Sequence, residues 1–135
     1  MKKELSLSKN MFLNYAVGGA AWIITGISGM FEYMLADIVG IVALTIALGG
    51  YVYTARCKLE RSDERSEENE MWARATVQKL IMFSWLMIAL VLHFVPNDWF
   101  AGVQNWPDFL KNILMIFLGA EELLLAALFI LKEKE

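Results

Sequence analysis

The chain has 135 residues, of which 58% are hydrophobic and 20% charged, against roughly 45–50% apolar in an ordinary soluble domain. That length fits one domain, the mean hydropathy is +0.47, and the net charge of −3 argues against a general nucleic-acid binder, whose surface needs clustered Lys and Arg. The single Cys57 excludes an intramolecular disulfide framework, a four-cysteine zinc site and a CxxC redox pair. The expectation is an all-α integral membrane protein, a four-helix bundle occupying residues 1–135 as one transmembrane domain.

The first apolar run is Met11 to Phe31. Lys2, Lys3 and Lys9 precede it as in a signal peptide. At about 20 residues it exceeds the usual signal core of roughly 7–15, and no small-x-small site closes it, so it reads as a retained anchor. Only Phe31, Glu32 and Tyr33 separate it from the second run, 34–55, which predicts a tight antiparallel hairpin. A charged loop, 56–76, leads to a third run at 77–95. The connection 96–111, bracketed by Pro96 and Pro107 and carrying Trp99 and Trp106, leads to the fourth at 112–131. Each run is close to the roughly 20 residues that cross a hydrocarbon core about 30 Å thick.

Lys and Arg set orientation. Lys2, Lys3, Lys9, Arg56, Lys58, Arg61, Arg65, Arg74, Lys79, Lys132 and Lys134 fall on one side, and only Lys111 on the other. The expected topology is up-down-up-down in the plasma membrane, with both termini and loop 56–76 cytoplasmic. Trp99 and Trp106 suit the outer headgroup belt and Trp72 the inner one.

Lipid tails do not drive helices together, so small residues choose the contact faces. Span two offers Ala36, Gly40, Ala43, Ala47, Gly50 and Thr54, in steps that favour left-handed packing. Span one offers Gly18, Ala21, Thr25 and Gly29. The reading is that these two seams face each other, with a homodimer seam as the alternative. Span three keeps only Ser84 and Ala89 small within Leu80–Leu92 and is expected at the bundle edge.

Glu121 and Glu122 fall at the middle of span four. An ionised carboxylate there costs about 3 kcal/mol or more, so a position in lipid is disfavoured, and mutual repulsion favours protonation of at least one. They diverge by about 100° on a helix. Glu122 shares its face with Gly119 and Ala126 and is expected to look into the bundle, whereas Glu121 shares a bulkier face with Leu118, Leu125 and Leu128. Thr45, at similar depth, could donate its hydroxyl to one of them, and no Lys or Arg is expected at that depth. Asp37 and His93, each near the outer end of its span, form a candidate outer-leaflet pair. The functional reading is a protonatable path through these groups; the plain one is hydrogen bonding that specifies assembly.

Loop 56–76 mixes five basic and six acidic residues between Arg56 and Arg74. It reads as helical extensions around a turn near Ser62 to Ser66, with Glu70–Arg74 as a four-residue ion pair and Arg61–Glu64 and Arg65–Glu68 as three-residue pairs. Asp63-Glu64-Arg65, an acidic stretch, Trp72-Ala73-Arg74 and a new apolar span resemble a group of small four-helix membrane proteins of Gram-positive bacteria that carry a cytosolic Asp-Glu-Arg element. The resemblance covers about 20 residues, is carried by a short motif, and implies a bacterial inner-membrane setting without implying an activity. The chain does not resemble a small multidrug exporter, whose essential glutamate lies in the first helix; here that helix carries Asn14 as its strongly polar side chain.

No HExxH, GxSxG or phosphate loop is present, and one His leaves a single chain without bis-His haem ligation. Neither an enzyme nor a cofactor or metal site is expected. The expected partners are the lipid bilayer and either another membrane protein or further copies of the chain. The leading reading is a non-enzymatic accessory or interaction module of a membrane complex. The alternative is an oligomeric proton- or cation-coupled carrier or channel that uses Glu122 and Glu121.

Overall fold

Four helices make up nearly all of the computed structural model, which describes residues 4–31, 33–59, 64–94 and 105–134. Each is long and apolar enough to span a membrane. Helix α1 (Leu7–Ser28) begins at Ser6, whose hydroxyl accepts from the Lys9 amide at 3.5 Å, and Thr25 and Ser28 carbonyls close its far end. A π-helical stretch, Phe12–Ala16, interrupts its α geometry. Helix α2 (Met34–Arg56) follows after a short turn. Helix α3 (Glu64–Phe94) is longer than its apolar run. Helix α4 (Trp106–Glu133) is capped by Asn105 and has Pro107 in its first turn, where a missing N–H costs no hydrogen bond.

The most extensive packing is α1 against α4, followed by α1 against α2, while α3 rests chiefly on α4. The helices therefore follow the spatial order α2–α1–α4–α3. Glycine explains the central contact. A Cβ added to Gly19 would lie 2.5 Å from the Gly119 carbonyl oxygen, and one added to Gly26 would lie 2.6 Å from that of Asn112. Residues 19 and 26 are two turns apart on one face of α1, so the two backbones approach along a line that any side chain would block.

Side-chain packing takes over toward the start of α1. There Met11, Ala73, Val77, Leu125 and Phe129 form the buried apolar cluster. In contrast, α2 buries only Gly40 and Ala43, and α3 buries Asn69, Ala73 and Val77, all in its first half. Large apolar side chains such as Ile41, Leu48, Phe83 and Leu86 remain exposed on both.

Several expectations need correction. The α1 seam does not turn wholly toward α2. Thr25 meets Gly40, its hydroxyl 3.3 Å from the Gly40 carbonyl oxygen, but Gly18 and Gly29 face Glu122 and Asn112 of α4. Gly19 and Gly26, outside the predicted seam, make the close approaches to the α4 backbone. Ala36 and Ala47 are only half-buried, and a Cβ on Gly50 would have just the Leu13 carbonyl oxygen near it, at 3.5 Å. After α2 the chain forms a short parallel strand pair, β1 (Glu4–Leu5) with β2 (Lys58–Leu59), in the register Glu4 with Lys58 and Leu5 with Leu59. The helix then resumes at Glu64, so Ser66 is helical rather than part of a turn. Lys2, Lys3, Glu32, Arg61, Ser62, Asp63, Pro96 and Trp99 lie outside the described residues.

Candidate functional site

Glu121 and Glu122 stand midway along α4 and part in direction, as neighbours on a helix must. Glu122 is half-buried against α1. A Cβ added to Gly18 would lie 2.9 Å from its Oε2, and this oxygen is buried with no hydrogen-bond partner among the described residues. The absence of a side chain at Gly18 makes room for the carboxyl, and Gly19 one step further brings the backbones together. Glu121 is exposed. It borders a groove between α3 and α4 lined by Ile81, Trp85, Leu114, Phe117 and Leu118. Across that groove Trp85 stacks on Phe117, ring centroids 5.2 Å apart and planes 22° from parallel.

The other proposed members of this path lie elsewhere. Thr45 is exposed on α2, and its hydroxyl donates to the Ile41 carbonyl at 2.8 Å, a local bond that leaves both glutamates to α4. Asp37 and His93 are not joined by a hydrogen bond, because α2 packs on α1 and α3 on α4. The His93 ring instead meets Phe94 edge-on at 5.2 Å. Lys79 is closer in depth to Glu121 than the span limits imply, standing less than a turn from Ile81 on α3, but the two form no ion pair.

Asp37 borders a second, polar groove of about 500 Å³ at the far end of the bundle, together with Asn105, Asp108, Lys111 and Asn112. Asn112 is 3% exposed, and its Nδ2 donates to the Gly29 carbonyl oxygen at 2.6 Å. This bond satisfies one of the unpaired carbonyls that end α1. Lys111 Nζ lies 2.8 Å from Asp108 Oδ1. Asp108 precedes the apolar stretch of α4, and the Lys111 ammonium, followed by the Asn105 amide, holds its carboxyl below the usual carboxylate range.

At the opposite end, polar side chains tie α1 to both outer helices. The π-helical stretch presents Asn14 and Tyr15. Thr54 donates to Asn14 Oδ1 at 2.8 Å, and Arg74 donates to the Tyr15 hydroxyl at 3.0 Å. Arg74 also pairs with Glu70 at 2.7 Å, whereas Arg65 and Glu68 form no ion pair. Asn69, 7% exposed, donates to Glu133 Oε1 at 2.9 Å. Trp72 carries the Lys132 ammonium over its ring, 5.8 Å from the centroid. Asn112, Asn69, Asn14 and Tyr15 are thus structural polar residues that apolar-run reading passes over. A usable signal was their placement at or near the ends of apolar runs, where a buried amide can satisfy a helix terminus or a charged loop.

Among the described residues, no three His, Cys, Asp or Glu side chains gather as a metal site. Cys57 is a half-buried thiol without a disulfide partner. No protein family matches this chain, and neither a curated protein nor a solved structure does.

Proposed function

We propose that the chain is a multi-pass protein of a bacterial plasma membrane, with both termini cytoplasmic, and that it acts as a non-enzymatic accessory module of a membrane complex. The observation that carries this reading is the division of its surface. Helices α1 and α4 close on each other through glycine, while α2 and α3 bury only narrow strips and leave long apolar faces outward. Lipid can cover such faces, and so can partner helices that pack on them. The inward carboxyl of Glu122 sits in a contact too close for a methyl group at Gly18, which leaves no room there for a hydrated ion. That favours assembly over transport within one chain. The lopsided Lys and Arg count supports the orientation.

The experiment is mild-detergent extraction of the tagged protein from its native membrane, followed by native mass determination. A complex of fixed stoichiometry with another membrane protein supports the accessory reading. A pure homo-oligomer that conducts protons in liposomes would replace it with the carrier reading, and a lone monomer would contradict it.

A further inference from the structure

We infer that the furrow over α1, walled by α2 and α4, seats one acyl chain of an anionic phospholipid whose phosphate is held by Lys9. The inference goes beyond the accessory reading and rests only on its membrane placement.

Helical spacing builds the furrow as one feature. An apolar cavity of about 640 Å³ has Phe12, Ala16, Ala20 and Ile24 of α1 along its floor, with Ile46 of α2 and Leu123 of α4 on its flanks. A second cavity, of about 390 Å³, shares Phe12 and reaches Ser8, Lys9, Tyr53 and Ile130. Tyr53 lies seven residues beyond Ile46, and Ile130 seven beyond Leu123, so each pair shares a helix face. Ser8 lies one turn before Phe12 on the same floor. The two cavities therefore run end to end along one side of the bundle. Small side chains at Ala16 and Ala20 hollow the floor between Phe12 and Ile24.

Depth and charge select the occupant. From Phe12 to Ile24 the floor rises about 18 Å, close to the roughly 15 Å of hydrocarbon in one leaflet. A transmembrane helix crosses both leaflets and would be seated along only half its length. One acyl chain entering from the Lys9 end matches the furrow. At that end the Lys9 ammonium and the Ser8 and Tyr53 hydroxyls have no hydrogen bond or ion pair among the described residues. No Asp or Glu among the described residues lines either cavity. Glu4 is exposed where its neighbour Leu5 is buried, as alternation along a strand requires, and Glu133 accepts from Asn69 of α3. A phosphate at this end thus meets one cation and two hydroxyl donors. A zwitterionic headgroup would bring its own cation to a place with no carboxylate to receive it, so net negative charge is favoured.

The test uses the full-length protein in mild-detergent micelles with equimolar phosphatidylglycerol and phosphatidylcholine of identical acyl chains, read by native mass spectrometry. One phosphatidylglycerol per chain is expected to be retained, with a preference of at least about fivefold. Lys9→Gln is expected to erase that preference and Lys9→Arg to keep it. Lys132→Gln removes the same charge from the Trp72 side of the bundle and is expected to keep it too. Ala20→Leu fills the floor and should lower retention of both lipids at least about fivefold. An SDS unfolding titration checks that this variant is folded, and Ala16→Leu replaces it otherwise. Equal retention of the two lipids overturns the inference, as does a preference that survives Lys9→Gln or falls equally in Lys132→Gln. Undiminished retention in the folded filling variant also overturns it, because the headgroup would then bind without the furrow. Displacement of the lipid by inorganic phosphate at the same concentration overturns it in favour of a soluble anion. A stable native complex combined with no lipid preference removes this inference and leaves the accessory reading standing. A lone monomer that retains phosphatidylglycerol through Lys9 keeps the site and removes that reading.

Discussion

The α1–α4 contact and the outer helices α2 and α3 show two ways of using an apolar helix. In the first, glycine brings two backbones together until no Cβ fits between Gly19 and Gly119. In the second, bulky side chains such as Ile41, Leu48, Phe83 and Leu86 stay outward and commit little surface to the fold. Both kinds of helix are apolar enough to cross a membrane, so hydrophobicity does not separate them. Side-chain size and placement do, because in lipid a large apolar residue gains little by being covered. The difference places structural demand on α1 and α4 and leaves α2 and α3 open to neighbours.

The largest effect should come from blocking the central seam. Gly119→Ala forces a methyl group into the Gly19 carbonyl and should destabilise the bundle by about 3 kcal/mol, read from an SDS unfolding titration in mixed micelles. Gly49→Ala on α2, where an added Cβ meets nothing within 4 Å, should instead be neutral or stabilise by about 0.5 kcal/mol through helix propensity. Equal losses at the two sites would erase the proposed division.

A second contrast concerns aromatic side chains. Phe129 is 0% exposed within the side-chain cluster and Phe83 is 61% exposed. Phe129→Ala should cost about 2 kcal/mol in the same titration, below the aqueous value because unfolded helices remain in lipid. Phe83→Ala should change stability by less than about 0.5 kcal/mol.

The four helices were legible in the sequence because hydropathy over a span-length window picks out long apolar helices. The limits of the helices were less legible. Helix α3 starts at Glu64, thirteen residues ahead of its apolar run, because Asn69 and Ala73 find partners on α4 at the charged end. The seam was read only in part. Gly18 and Gly19 both meet α4, yet only Gly18 was read into the seam, and that seam was turned toward α2, because helix rotation is set by packing against a helix distant in sequence; the inward turn of Glu122, on one face with Gly119 and Ala126, was legible. Asp37 and His93 share a depth, but depth does not specify lateral neighbours. Thr45 failed as a donor to Glu122 for the same reason, since it sits on α2 while α1 faces the glutamate.

Asn112 gives a smaller, polar version of the contrast. Asn112→Ala removes the bond to the Gly29 carbonyl and should cost about 1 kcal/mol, whereas His93→Ala, at an exposed ring, should fall within about 0.5 kcal/mol. The smallest effect belongs to Asp108. Its stabilising pairing with Lys111 lowers the folded-state pKa. That contribution is complete above the unfolded value of about 3.9 and is lost as pH falls through the lower folded value. Lys111→Met should move the Asp108 carboxyl upward in an NMR titration, and an unchanged titration would remove the pair from the account.

The central claim is that adjacent glutamates are divided between an outward face and a closed seam. Labelling with a membrane-soluble carbodiimide, mapped by peptide mass spectrometry, tests it most directly. The predicted result is modification of Glu121, retained in Glu122→Gln and lost in Glu121→Gln. Equal or preferential modification of Glu122 would contradict it.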